Sequence, residues 1–171
     1  ILPQRIAILS SQTAAGYQDF IEQLQNNIYG YAFTTTLYAA QVQGRGAEES
    51  MLDALNILFE QIENFDVLVL IRGGGSQTDL LCFDSYRLAS PLAQLPIPVL
   101  TGIGHDKDES VADLVAHTAL KTPTAVADFL VDRMADQEQL LSEMSAQIAD
   151  FAYDLIGEKY EYLNGLSSSI S

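Results

Sequence analysis

Cations are what this sequence has least of: 8 lysines and arginines stand against 23 aspartates and glutamates in 171 residues, a formal charge of −15. That balance excludes the broad basic face by which most nucleic-acid binders attract a polyanion. Cysteine is nearly absent as well. Cys82 stands alone, which rules out an internal disulfide framework, fits a reducing compartment and reads as inert packing. No apolar run reaches the length of a membrane helix, and the opening ILPQRIAILSS lacks the basic flank of a signal peptide. A cytoplasmic chain with no membrane partner is expected. Walker and dinucleotide-binding glycine motifs are also missing, as are internal repeats. There is no initiator methionine, and GLSSSIS closes the chain within a helical pattern, so the expectation is a piece of something longer.

What is present is a regular alternation. RIAILSS (5–11), FDVLVLIRG (65–73) and IPVLTGIG (97–104) are short apolar runs that stop abruptly in turn residues, as strands buried on both faces do. FTTTLYAAQV (33–42) is β-branched and aromatic and supplies another strand. Between them, Tyr17, Phe20, Ile21, Leu24 and Ile28 form one helical stripe, and Met51, Leu55, Leu58 and Ile62 form a second. Strand–helix alternation predicts an α/β fold: a doubly wound, mostly parallel, Rossmann-like sheet of about four or five strands, with order 2-1-3-4. After KTPTAVADFL the pattern becomes one long C-terminal helix, with Thr122 as N-cap and Pro123 in its first turn. Met134, Leu141, Met144, Ile148, Phe151, Leu155 and Tyr162 mark a heptad seam broken by Gln137 and Glu158. Such a stripe suits either a coiled coil or a helix folded back on its domain. The expected organisation is an α/β domain over 1–122 and, over 123–171, the start of a coiled-coil segment.

Ligands in doubly wound sheets bind beyond the carboxyl ends of the strands. The segments that follow the four strands are SSQTAAG, QVQGRGA, RGGGSQTD and GIGHDKDES, and they collect the unusual polar and glycine-rich residues on one rim. Of the few cations, Arg45, Arg72, Lys107 and Lys121 fall there too. Alone, GGGS is equally well a tight turn. Beside Arg72, however, Gly73, Gly74 and Gly75 remove the Cβ atoms that would keep backbone N–H groups from an oxyanion, and the guanidinium fork suits phosphate oxygens. Ser76, Thr13, Arg45, Lys107 and Lys121 complete the candidate phosphate contacts. His105, flanked by Asp106 and Asp108, has the makings of a general acid or base at neutral pH, although a lone loop histidine is more often simply solvated.

RIAILSSQTAAGYQDF, LYAAQVQG, DVLVLIRGGGSQTDLLCFD, PVLTGIGHDKDESVADLVA and KTPTAVAD, in that order, resemble the catalytic domain of the exodeoxyribonuclease VII large subunit. The resemblance runs through Asp128. It implies a nuclease that releases oligonucleotides from the ends of single-stranded DNA, and small subunits that assemble on the helical segment of the complete protein. It places the functional residues on Asp19, Arg72, His105 and Asp108. Asp19 is carried by the resemblance alone, since it lies opposite the apolar stripe of its helix. Asp113 matches the family as well, and an aspartate early in a helix also suits the dipole. The chain departs from the family at Ala39, Thr78, Leu81 and Ala119, where proline, an acidic residue, an aromatic and arginine are common.

The expected chemistry is phosphodiester hydrolysis. Arg72 and the glycine N–H groups hold the scissile phosphate, His105 moves the proton, Asp108 orients it or takes the complementary proton, and Asp19 assists. The direction of each proton stays open. No cofactor is required, with Mg²⁺ on Asp19 and Asp108 as an alternative. The rival expectation is a non-catalytic phosphate- or nucleotide-binding module with an assembly helix.

Overall fold

The computed structural model describes residues 2–74, 77–104 and 109–169. The chain divides into two compact units, Ile1–Met134 and Ala135–Ser171.

In the first unit, five parallel strands, β1 (Arg5–Ser10), β2 (Thr34–Ala39), β3 (Val67–Ile71), β4 (Val99–Gly102) and β5 (Thr118–Ala119), stand in the order β2-β1-β3-β4-β5. The predicted order is observed, with a short fifth strand at the edge. Helices α1 (Ala15–Gln25), α2 (Ala47–Phe59), α3 (Tyr86–Ala93), α4 (Val111–Val115) and α5 (Pro123–Ser169) follow the strands in turn. Side chains alternate between sheet faces. Ala7, Leu9, Leu68, Leu70 and Val99 therefore join a core with Met51, Leu55, Leu58, Leu88 and Leu92 of α2 and α3. Ile6, Ile8, Val67, Val69, Ile71 and Leu100 face the opposite way, against Phe20 and Leu24 of α1 and Val126, Ala127 and Leu130 of α5. The first turns of the long helix thus complete the second layer of the α/β unit.

The predicted helical stripes overran at both C-terminal ends. Helix α1 stops at Gln25, and Ile28 is 88 % exposed. The Asn27 side chain ends it, donating to the carbonyls of Leu24 and Tyr31 (both 2.8 Å) and accepting the Tyr31 N–H (2.9 Å). An asparagine that hydrogen-bonds its own backbone offers the chain a turn in place of another helical one. Ile62 likewise falls beyond α2, in a 3-10 turn over Ile62–Asn64, yet still packs on the core.

At the amino edge of the sheet, Asp66 ties β1 to β3. Its carboxylate accepts the N–H groups of Arg5 (2.8 Å) and Gln4 (3.1 Å) and the Arg5 guanidinium (2.6 Å). The Arg5 side chain, aided by the backbone N–H groups, holds the Asp66 carboxyl below the ordinary aspartate range. A carboxyl depressed in the folded state adds stability that is present above its unfolded pKa, about 3.9, and is lost as pH falls through the folded value. Asp66→Asn should therefore melt below wild type at pH 7, and the gap should narrow below about pH 4. Thermal melts of both proteins across pH 2–7 check this.

Candidate functional site at the carboxyl edge

Strand order reverses between β1 and β3, which places the favoured crevice of a doubly wound sheet between the loops that follow them. At that point the backbones come unusually close. A Cβ on Gly16 would lie 2.8 Å from the Arg72 carbonyl oxygen, 2.8 Å from Pro123 Cγ and 2.9 Å from Gly73 Cα. A Cβ on Gly73 would lie 3.0 Å from the Gly16 nitrogen and 3.3 Å from that of Ala15. Both glycines are therefore demanded by packing: the first turn of α1 rests directly on the chain leaving β3, with the start of α5 beside it. Gly74 differs. No described atom lies within 4 Å of where its Cβ would be, and its φ is not positive. Neither packing nor conformation within the described residues accounts for a glycine there.

Arg72 is the principal correction to the expectation of a loop residue. It is 3 % exposed, and its N–H still donates to Gly102 O at 3.3 Å, continuing the pairing of β3 with β4. Alternation along β3 puts its side chain on the face of Leu68 and Leu70. A substitution here removes core volume as well as charge.

The remaining residues are spread along the rim. Thr13 follows β1, is exposed, and shares a hydroxyl contact with Ser11 (3.2 Å). Arg45 is exposed after β2, between Gly44 and Gly46, and Lys121 is exposed between β5 and α5. Asp19 is exposed on α1. It lies one turn before Gln23, which donates to Asp128 of α5 (2.7 Å), so it occupies the flank of α1 next to that helix. Thr122 caps α5 as predicted, accepting the Ala125 N–H at 3.1 Å. Gly75, Ser76, His105, Lys107 and Asp108 lie outside the described residues. Among the described residues no three His, Cys, Asp or Glu side chains gather as a metal site, and no helix is long and apolar enough to cross a membrane.

Two polar features were missed by sequence reasoning. Ser10, at the end of β1, is fully buried and its hydroxyl makes no hydrogen bond among the described residues. Nothing in the sequence announces this. Asp113 does more than meet the helix dipole. Its carboxylate accepts Thr101 Oγ1 (2.5 Å) and the Ser110 N–H (3.0 Å) and Oγ (2.8 Å), while Ser110 Oγ accepts the Asp113 N–H (3.2 Å). The SVAD stretch, a capping-box signature directly after GHDKDE, was the available signal.

The profile of the family described as "Exonuclease VII, large subunit" matches residues 1–171. This chain belongs to the exonuclease VII large subunit family. Similar proteins named exodeoxyribonuclease 7 large subunit include that of Nostoc sp., 40 % identical over 136 residues, 80 % of this chain and 32 % of the relative. That of Lactobacillus helveticus is 30 % identical over 168 residues, 98 % of this chain and 37 % of the relative. A third, from Nitrosomonas eutropha, is 40 % identical over 125 residues, 73 % of this chain and 27 % of the relative. The chain spans about a third of the length of these relatives. Family membership agrees with the resemblance read from RGGGS, GHDKD and TPTA, and with the fold expected from strand alternation.

The packing of the glycines separates their roles. Gly16→Ala forces a Cβ against backbone atoms and should cost about 1–3 kcal/mol, as overpacking does. Gly74→Ala meets open space and should stay within about 0.5 kcal/mol of wild type. Urea denaturation of the two variants measures the difference; equal stabilities would show that the close contact at Gly16 relaxes freely.

Proposed function

We propose that this chain is the catalytic domain of an exodeoxyribonuclease VII large subunit, hydrolysing phosphodiester bonds of single-stranded DNA from the ends and releasing oligonucleotides. The observation that carries the reading is the chain leaving β3. There a buried arginine is followed by a glycine in backbone contact with the first turn of α1, and then by Gly74, whose missing side chain nothing described requires. A glycine without a packing or conformational reason suits close approach of a ligand to the backbone. Family membership and the helix N-terminus at the switch point support a phosphate as that ligand.

In this mechanism Arg72 and the N–H groups of Gly73, Gly74 and Gly75 hold the scissile phosphate and offset the charge that develops on its oxygens. His105 transfers a proton to the leaving oxygen or from the attacking water. Asp108 orients His105 or takes the complementary proton, and Asp19 assists from α1. Ser76, Thr13, Arg45, Lys107 and Lys121 contact flanking phosphates. Mg²⁺, if used, would be held by Asp19 and Asp108 and would polarise a phosphate oxygen. The α/β domain is proposed to run past the expected boundary at residue 122 into the first turns of α5, and the helix beyond Met134 to serve assembly with the small subunit. Supporting this, Leu141, Met144, Ile148, Phe151 and Leu155 repeat at heptad spacing and are all exposed.

Cleavage of end-labelled single-stranded DNA by the full-length large subunit with its small subunit tests the reading. His105→Ala should lower turnover by about a hundredfold to ten-thousandfold, the range of general acid–base contributions. Arg72→Ala should lose about as much, and because Arg72 is 3 % exposed it should also lower the melting temperature. Groups acting as a unit are non-additive, so the double variant should be little slower than either single one. Binding without products in the wild type would leave a binding module. Wild-type activity lost to a chelator would shift the leading role to a metal.

A further inference from the structure

We propose that Thr101, Ser110 and Asp113 form a positioning clamp that fixes both ends of the segment bearing His105 and Asp108. The inference rests on the reading that those two residues transfer protons. The segment leaves the sheet after Gly102, at the end of β4, and is followed by α4 at Val111. Thr101 stands at its exit and Ser110 at its return, and the Asp113 carboxylate joins them. Oδ1 accepts the Thr101 hydroxyl at 2.5 Å, while Oδ2 accepts the Ser110 N–H at 3.0 Å and its hydroxyl at 2.8 Å. Thr101 is fully buried and Ser110 is 8 % exposed.

Capping alone does not explain the arrangement. The reciprocal bonds between Ser110 and Asp113 already satisfy the first turn of α4, and they use Oδ2 only. The Thr101 bond is additional. It spends a buried strand hydroxyl on linking β4 to the helix beyond the segment, and a short bond to an ionised acceptor is among the stronger hydrogen bonds. A second link ties the same point to the phosphate loop: Asp84 Oδ1 accepts the Val111 N–H at 3.1 Å, and Asp84 ends the 3-10 segment Gln77–Asp84 that follows the glycines. The return ends of both functional loops are thereby fastened at residues 110 and 111. Alternation also puts Thr101 on the Leu68 and Leu70 face of the sheet, the face to which Arg72 belongs. A proton donor must meet a phosphate oxygen at hydrogen-bond distance, so fixing its loop relative to Arg72 is worth rate rather than affinity.

The full-length large subunit with its small subunit, assayed on labelled single-stranded DNA, decides the matter. Thr101→Val keeps the shape and removes the hydroxyl, whereas Thr101→Ser keeps the hydroxyl. Expected for Thr101→Val is a fall in kcat of about a hundredfold, the scale of a small misplacement, with KM unchanged. Thr101→Ser should recover most of the loss. Wild-type kcat in Thr101→Val, or equal loss in both variants, would overturn the clamp. Should Thr101→Val fold poorly, Asp113→Ala, which keeps Thr101 and Ser110 but removes the carboxylate that joins them, is held to the same standard: lower kcat at unchanged KM supports the clamp and wild-type kcat overturns it. His105→Ala is measured in parallel. Near wild-type cleavage there removes the proton-transfer reading itself, whereas an inactive His105→Ala beside an unimpaired Thr101→Val removes only the clamp.

Discussion

The contact between the first turn of α1 and the chain leaving β3 constrains everything else at the carboxyl edge. With Cβ positions at Gly16 and Gly73 falling within 3.0 Å of backbone, the two segments approach as closely as peptide groups allow. That approach needs glycine on both sides, and it brings the N-terminus of α1 to the point where strand order reverses. Helix N-termini carry unpaired N–H groups and partial positive charge. Helix α1 has no side-chain cap and no acidic residue in its first turn, and the Tyr17 N–H turns back to the Ala14 carbonyl (3.1 Å), so among the described residues no side chain caps the N–H groups of Ala15 and Gly16. Pro123 closes the same corner, which makes the start of the long helix part of the α/β unit.

The two edges of the sheet use charge for different ends. At the amino edge Arg5 and Asp66 saturate each other, with backbone N–H groups filling the remaining lone pairs of the carboxylate. This is the pattern of a structural tie. Another tie is Arg87, which spans from α3 to Glu48 and Glu49 of α2. At the carboxyl edge, among the described residues, one cation is buried and two others are exposed beside glycines or a helix start. Exposed ion pairs contribute little to stability, so the division of labour concerns placement more than energy.

Much of the fold was legible because its strands are buried on both faces. A run such as VLVLI needs no partner to declare itself, and two helical layers follow from the sheet. Helix ends were less legible. Ile28 and Ile62 keep the apolar period, yet Asn27 turns the chain after one and a 3-10 turn takes up the other. Periodicity reports apolar spacing and is blind to a side chain competing for backbone. The rim that carries the candidate residues was legible, since strand ends fix where loops go. The burial of Arg72 was not, because the sequence shows an arginine followed by glycines and gives no sign that pairing with β4 continues one residue further. The Thr101–Asp113 bond was hidden for another reason: its partners are twelve residues apart and meet only because α4 turns back toward β4.

A charge of −15 remains to be reconciled with the phosphate substrate proposed, and the kind of donor proposed for it resolves the conflict. Phosphate neutralisation by surface lysines gives affinity that is long-ranged and salt-dependent. Backbone N–H groups and a buried guanidinium act at contact distance, where intervening water no longer screens them. Beyond roughly 10 Å at ordinary salt, charges elsewhere on the surface contribute little. A site built from glycine amides and Arg72 can thus hold one phosphate within an acidic chain, at the expense of grip on the rest of the strand. On the proposed reading, that grip has to come from the two thirds of the relatives' length that this chain does not span. On the same reading, separating chemistry from grip would let the proposed site release a short product, since what holds the scissile phosphate would not be what holds the strand.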